Sequence, residues 1–262
     1  DAADVISLDF LRVLGNACRE LKPDFWLMGE IVFGDYRRWT NEGGLDSTTN
    51  YEGSKSLYSS FHDRNLFEIA YALNRQFGEG GIYRGLGLYN FTDNHDVDRV
   101  ASILKDPAHL YPLYLLHFCM PGIPSVYYGS EFGLPGQRTR SSDAPVRPEL
   151  DLHALNHAAP HAGLAGDIRR LAALRRDHPA LRRGDYRQLH VAAEQVVFIR
   201  QTADECVLIA LNTSEKAVEI AVTIPGAAQS GAYDLLNDRE ISHQYGQFLL
   251  DIPARWGLLI RL

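Results

Sequence analysis

The sequence predicts an α/β fold, a parallel sheet built from βα units, followed by an antiparallel all-β region. Three observations carry that expectation. Short apolar runs that end in polar residues alternate with stretches at helical spacing, the pattern of strand and crossover helix. Beyond about Pro179 the texture changes to short β-branched runs separated by turn residues, which reads as a separate antiparallel domain. The chain has 262 residues, 45% of them hydrophobic, enough for one large or two smaller packed domains. A sheet of this kind is either open and doubly wound or a (β/α)8 barrel, of which the four strands read here would be half.

Leu8, Leu11, Leu14, Cys18 and Leu21 fall at helical spacing, with Ser7 able to cap the start and Pro23 after the end, so the first element is an amphipathic helix. The six residues before it read as a loop that comes off a strand absent from the chain, the sign of a fragment of a longer protein. Phe25 to Glu30, FWLMGE, reads as a strand, GDYRRWTNEGG as a loop with a short helical turn, and LDSTTNYE as a weaker strand. Ser60 or Asp63 is expected to open a helix whose Leu66, Ile69, Leu73 and Phe77 share a face, ended by Gly78. LYNFTD is the next strand, residues 100–104 and 110–120 are helical around Pro107, and PGIPSVYYG is a further strand, with Tyr127 and Tyr128 expected in its core. A long polar stretch, residues 134–163, precedes a helix marked by Ile168, Leu171 and Leu174. EQVVFIRQ, ECVLIALN, AVEIAVTI and ARWGLLIRL supply the later strands.

The net charge of −7 argues against binding to nucleic acid or an anionic membrane surface, since phosphate contacts need concentrated Lys and Arg. No apolar run reaches membrane-spanning length. Cys18, Cys119 and Cys206 are odd in number and far apart, which disfavours a disulfide framework and favours a reducing, cytoplasmic location. A neutral partner suits this chain better than an acidic one.

Two apolar runs deliver carboxylates at their ends: FWLMGE stops at Gly29-Glu30, and LYNFTDNHDVDR runs into Asn94-His95-Asp96. Parallel strands bring such ends to one rim, so a shared site is expected. Each residue also has a structural reading. Glu30 could cap the next helix, His95 could be a core histidine, Asp1 a frayed terminus, and Arg99 a solvated helix residue. Phe33 and Trp39 could offer a flat aromatic face to a ligand or pack under their loop. Glu131 and Arg138 read as exposed loop residues without a firm role.

FTDNHD, with MGE upstream and GIPSVYYGSEFG downstream, resembles three consecutive strand-end motifs of the α-amylase family of glycoside hydrolases. The opening Asp1-Ala2-Ala3-Asp4 resembles the tail of that family's nucleophile motif. The resemblance runs over roughly residues 1–183 and implies the C-terminal half of a (β/α)8 (TIM) barrel over residues 1–180, followed by an antiparallel β-sandwich over 181–262. It implies that Asp1 is the nucleophile, Glu30 the general acid/base and Asp96 the carboxylate that braces the transition state, with His95, Asn94 and Arg99 at the substrate. A retaining glycosidase needs such a pair about 5 Å apart, with Glu30 protonated through burial and a neighbouring anion.

The chain departs from the pattern in places. Asp4 and Val5 stand where α-amylases carry Lys-His, and Ile31-Val32-Phe33 where cyclomaltodextrinase-like members often have Trp. The family's earlier strands are not in this chain, so the site is expected to be incomplete. Four strands alone would expose an apolar layer of several hundred Å², costly at about 25 cal/mol per Å². Self-association or a missing N-terminal half is therefore expected as a partner.

The implied function is retaining cleavage of α-1,4-glucosidic bonds in α-glucan oligosaccharides such as maltodextrins, cyclodextrins or starch-like chains. The alternative is a catalytically inactive carbohydrate-binding or assembly module. No cofactor is required by this chemistry; calcium is common in the family, but no ligands are assignable. An open sheet binding a phosphorylated ligand would need a Gly-rich loop between strand and helix, and none is present.

Overall fold

In the computed structural model, which describes residues 1–224, 227 and 231–262, Ser7 starts helix α1 (Leu8–Leu21) by accepting a hydrogen bond from the Phe10 amide at 3.2 Å. Asp9 lies in the first turn and Arg19 in the last, the signs the helix dipole favours. Only a narrow stripe of the apolar face is covered. Leu11 is 6% exposed, whereas Phe10, Val13 and Leu21 are 57%, 66% and 90% exposed.

Four short parallel strands follow one another in chain order: β1 (Met28–Gly29), β2 (Ser47–Thr48), β3 (Tyr89–Phe91) and β4 (Ile123–Ser125). β1 pairs with β2, β3 pairs with β4, and a parallel bridge from Thr49 to Tyr89 joins the two pairs. The strands are shorter than their apolar runs. Phe25 and Trp26 are 40% and 46% exposed outside β1, because hydrogen-bonded pairing, unlike hydrophobicity, ends where the neighbouring strand ends.

The region after β2 departs most from expectation. Asn50 leaves the predicted strand and caps helix α2 (Tyr51–Asp63), its Oδ1 accepting from the Gly53 amide at 2.9 Å. Ser60 and Asp63 therefore lie inside a helix instead of starting one. Ser60 Oγ accepts the Ile69 amide at 2.9 Å, tying α2 to α3 (Phe67–Phe77). The expected face of α3 is buried, with Leu66, Ile69, Leu73 and Phe77 each at most 4% exposed. A buried amide network holds these elements to the sheet. Asn50 Nδ2 donates to Gln76 Oε1 at 3.0 Å and Asn90 Oδ1 at 2.9 Å, and Asn90 Nδ2 donates to the Pro121 carbonyl at 2.7 Å.

After β3 come α4 (Val100–Ile103) and α5 (Leu110–Cys119), then β4, then the polar stretch. That stretch holds a 3-10 turn (Ala144–Val146) and α6 (Leu152–Ala158), which Asp151 caps. Helices α7 (Leu164–Asp177) and α8 (Pro179–Arg183) lead to the antiparallel part.

There β5 (Asp185–Val191), β6 (Gln195–Gln201), β7 (Cys206–Asn212), β9 (Ala232–Asp234), β10 (Arg239–Ile241) and β12 (Trp256–Arg261) form one sheet in the order β10-β9-β12-β7-β6-β5. β8 (Val218–Thr223) pairs with β11 (Gln247–Ile252). Val197, Ile199, Leu208 and Ala210 share a hydrophobic cluster with Val222, Phe248, Leu250 and Ile252 of that pair. The opposite face of the sheet, with Val196, Phe198, Val207 and Ile209, belongs to the main core together with α5. Covered on both faces, β6 and β7 read as continuous apolar runs. Among the described residues no helix is long and apolar enough to cross a membrane.

Candidate active site

β1 ends at Gly29, where a Cβ would lie 2.5 Å from Leu45 Cδ1 and 2.9 Å from Ala3 Cβ. Only glycine lets the first segment of the chain lie this close to the strand. The Ala3 amide donates to the Glu30 carbonyl at 3.0 Å, and the Ala2 amide donates to Glu30 Oε2 at 2.9 Å. Tyr51, the first residue of α2, donates its hydroxyl to Glu30 Oε1 at 2.8 Å. Both carboxylate oxygens thus accept hydrogen bonds.

The consequence runs against expectation. The Ala2 amide, then the Tyr51 hydroxyl, hold the Glu30 carboxyl below the usual glutamate value, outweighing the upward push of burial. Hydrogen bonds to the charged form favour that form, so Glu30 is ionised at neutral pH in this conformation. Burial and the bond to Glu30 push Tyr51 up to about 12, so its hydroxyl stays protonated and remains a donor.

β3 delivers the second group. Asn94 Nδ2 donates to Tyr51 Oη at 3.2 Å, and its Oδ1 accepts the Asp96 amide at 2.8 Å. Tyr51 therefore links the strand ends of β1 and β3. Asp1, Glu30, Asn94, His95 and Tyr127 line one cavity of about 260 Å³. Asp96 is not among its lining residues; its carboxylate lies 3.1 Å from His95 Nε2 and 3.4 Å from Arg147 Nη2. Arg138 donates to the Asp96 carbonyl, and Arg147 Nε to the His95 carbonyl at 3.3 Å. The polar stretch is thus a strap over the Asn94-His95-Asp96 turn.

Three expected substrate residues are elsewhere. Arg99 is neither at the cavity nor in solvent: it is 0% exposed. Its guanidinium donates to the Tyr128 carbonyl at 2.6 Å, Ser130 Oγ at 3.1 Å and the Val146 carbonyl at 2.8 Å, and lies 4.2 Å over the Tyr127 ring. Trp39 is 8% exposed within the hydrophobic core, because a π-helical turn (Arg38–Glu42) folds its indole inward. It cannot present a face to a sugar. Phe33 is 84% exposed and lines a neighbouring cavity of about 380 Å³ that also includes Tyr51. Tyr127 and Tyr128 are not core residues: Tyr127 faces the first cavity and Tyr128 is 42% exposed.

Several residues at the site escaped the sequence reading. Asp93, 1% exposed, accepts from the Val100 amide at 2.9 Å and from Ser130 Oγ at 2.8 and 2.9 Å; burial pushes its carboxyl up. Tyr51 was hidden inside a predicted strand, with Asn50 as the one signal of a helix start. Arg147 had no signal beyond its charge. Among the described residues no group of three or more His, Cys, Asp or Glu converges to hold a metal ion.

The family model described as "Alpha amylase, catalytic domain" matches residues 6–184. A cyclomaltodextrinase of Geobacillus thermopakistaniensis (strain MAS1) is 27% identical over 237 residues, 86% of this chain and 38% of the relative. Neopullulanase 2 of Thermoactinomyces vulgaris is 24% identical over 265 residues, 99% of this chain and 44% of the relative. A solved structure named cyclomaltodextrinase superposes with a TM-score of 0.84 at 20% identity, over 100% of this chain and 44% of that one. That likeness shows the fold: the parallel part has the strand arrangement of part of a TIM barrel. The chain spans less than half the length of these curated relatives.

Proposed function

Because this chain belongs to the α-amylase catalytic-domain family, matched over residues 6–184, we propose that it carries the carboxyl-terminal part of a retaining α-glucan hydrolase site. The supporting observation is the Tyr51 bridge, which joins Glu30 to Asn94 beside a cavity that Asp1 and His95 also line. The substrates are α-1,4-linked glucans of the maltodextrin, cyclodextrin or starch class, in keeping with the names of the relatives.

In this reading the Asp1 carboxylate attacks the anomeric carbon while Glu30 hands a proton to the leaving glycosidic oxygen. Glu30 then takes a proton from the water that releases the sugar. Asp96, held by His95 and Arg147, is the carboxylate that balances the oxocarbenium-like charge. Glu30 must first gain its proton. Substrate that displaces water and loosens the Ala2 and Tyr51 donors removes what holds its carboxyl low, and the burial that pushes it up then favours the neutral acid. The mechanism uses carboxylates, with no cofactor.

Incubation with maltotriose or a nitrophenyl maltoside tests the reading. Turnover is expected, lost in the Glu30→Gln variant; turnover that survives this substitution contradicts it. A second reading, a carbohydrate-binding or assembly module, is favoured by the uncovered apolar face of α1, where Phe10, Val13 and Leu21 are more than half exposed. Binding of maltotriose without turnover would select it. In that reading the face takes a second copy or the complementary half of a barrel. We read the β5–β12 region, residues 181–262, as a β-sandwich domain, supported by the apolar cluster between the six-stranded sheet and the β8–β11 pair. The free thiols of Cys18, Cys119 and Cys206 support a reducing, cytoplasmic setting.

A further inference from the structure

A second cavity, of about 170 Å³, shares no lining residue with the site above and is walled by arginines: Arg84, Arg182, Arg183 and Arg200. This is unusual in a chain with a net charge of −7. Arg200 is 1% exposed. Its Nε and Nη2 donate to the Gly184 carbonyl at 3.1 and 2.9 Å, and its Nη1 to the Cys119 carbonyl at 2.7 Å. A guanidinium has five N–H donors, so two of them have no partner among the described residues. Arg175, 8% exposed, is bound in the same way to the carbonyls of Phe118, Met120 and Gly122, the last of which lies in the cavity wall.

Neither buried guanidinium meets a carboxylate, and peptide carbonyls supply only partial charge. A buried cation is ordinarily paired. The one carboxylate among the described lining residues, Asp185, is taken by Arg84 at 2.7 Å. Arg182 and Arg183 are exposed and make no side-chain hydrogen bond or ion pair among the described residues. The cavity thus presents the guanidinium groups of Arg84, Arg182, Arg183 and Arg200 against the single carboxylate of Asp185 among the described lining residues. Planar guanidinium forks match tetrahedral oxyanions. Beyond the Arg84–Asp185 pair opens a groove of about 460 Å³ lined by Asn74, Glu79, Gln188 and Gln201, groups suited to hydroxyls.

We propose that this cavity is an oxyanion site for a phosphate group, either free or as the phosphoryl end of a small sugar phosphate whose hydroxylated body lies in the adjoining groove. The inference does not depend on the glycosidase reading, since no residue is shared. Calorimetric titration of the full chain with inorganic phosphate and with glucose 6-phosphate, at ionic strength fixed with chloride, tests it. Saturable binding with one ligand per chain is expected, weakened about tenfold or more in the Arg182→Gln/Arg183→Gln double variant. Both positions are exposed, so that variant keeps its core. Tighter binding of glucose 6-phosphate assigns the sugar phosphate; equal binding assigns the free ion. Absence of saturable binding, or binding unchanged in the double variant, overturns the proposal.

Discussion

Replacing Tyr51 by Phe removes one hydroxyl and keeps the ring that packs edge-on against Phe91, with centroids 4.9 Å apart. The lost bond is the 2.8 Å donation to Glu30 Oε1. A hydrogen bond to a charged group contributes about 1.5–3 kcal/mol when desolvated, and Glu30 is only half-buried, so about 1 kcal/mol is the fitting figure here. Without the Tyr51 donor, one of the groups that hold it low, the Glu30 pKa should rise in Tyr51→Phe. The sign follows from linkage. The folded-state pKa is depressed, so Glu30 contributes stability above its unfolded value that is lost as pH falls through the folded one. Tyr51→Phe should therefore cost that ~1 kcal/mol near neutral pH and nothing at pH well below both values. Carbon-13 NMR titration of the Glu30 side-chain carboxyl reads the shift directly, with Glu30→Gln supplying the assignment. A Glu30 pKa above the ordinary glutamate value in the parent chain, or no rise in the variant, would refute the reasoning.

Other positions give independent checks. Arg99→Met leaves the carbonyls of Tyr128 and Val146 and the Asp93 carboxylate without their cation; breaking a buried charged network costs about 3–5 kcal/mol, to be read by urea denaturation. Gly29→Ala forces Leu45 and Ala3 apart, an overpacking cost of about 1–3 kcal/mol that also pulls Ala2 from Glu30; denaturation and the same carboxyl titration measure the two effects. Cys119 is 1% exposed with its thiol pushed up to about 12 by burial, so it should react with a thiol reagent only on unfolding, visible as a lag behind Cys18 and Cys206 in labelling kinetics.

The site's outline was legible because its chemistry is local. Gly29-Glu30 and Asn94-His95-Asp96 each follow an apolar run, and a parallel sheet puts such ends on one rim. What failed depends on distant partners. The depth of Arg99 comes from carbonyls 29 and 47 residues away, and no local pattern encodes that. Trp39 turns inward because of a π-helical turn, which a loop rich in polar residues does not announce. Helix α2 was missed since its Gly53 and four serines weaken helical propensity, leaving Asn50 as the cue. Within the antiparallel part, β6, β7, β8 and β12 stood out as β-branched runs, whereas β9 and β10 are three residues each, too short for periodicity to register. Glu30's low pKa could not be foreseen, because its first donor is a backbone amide 28 residues away.

The most direct test of the central claim is covalent trapping with a fluorinated maltosyl fluoride, followed by intact-mass measurement and peptide mapping. The account predicts a single added maltosyl group on the peptide that begins at Asp1, absent from the Asp1→Ala variant. A sugar carried by any other carboxylate, or no adduct at all, would contradict it.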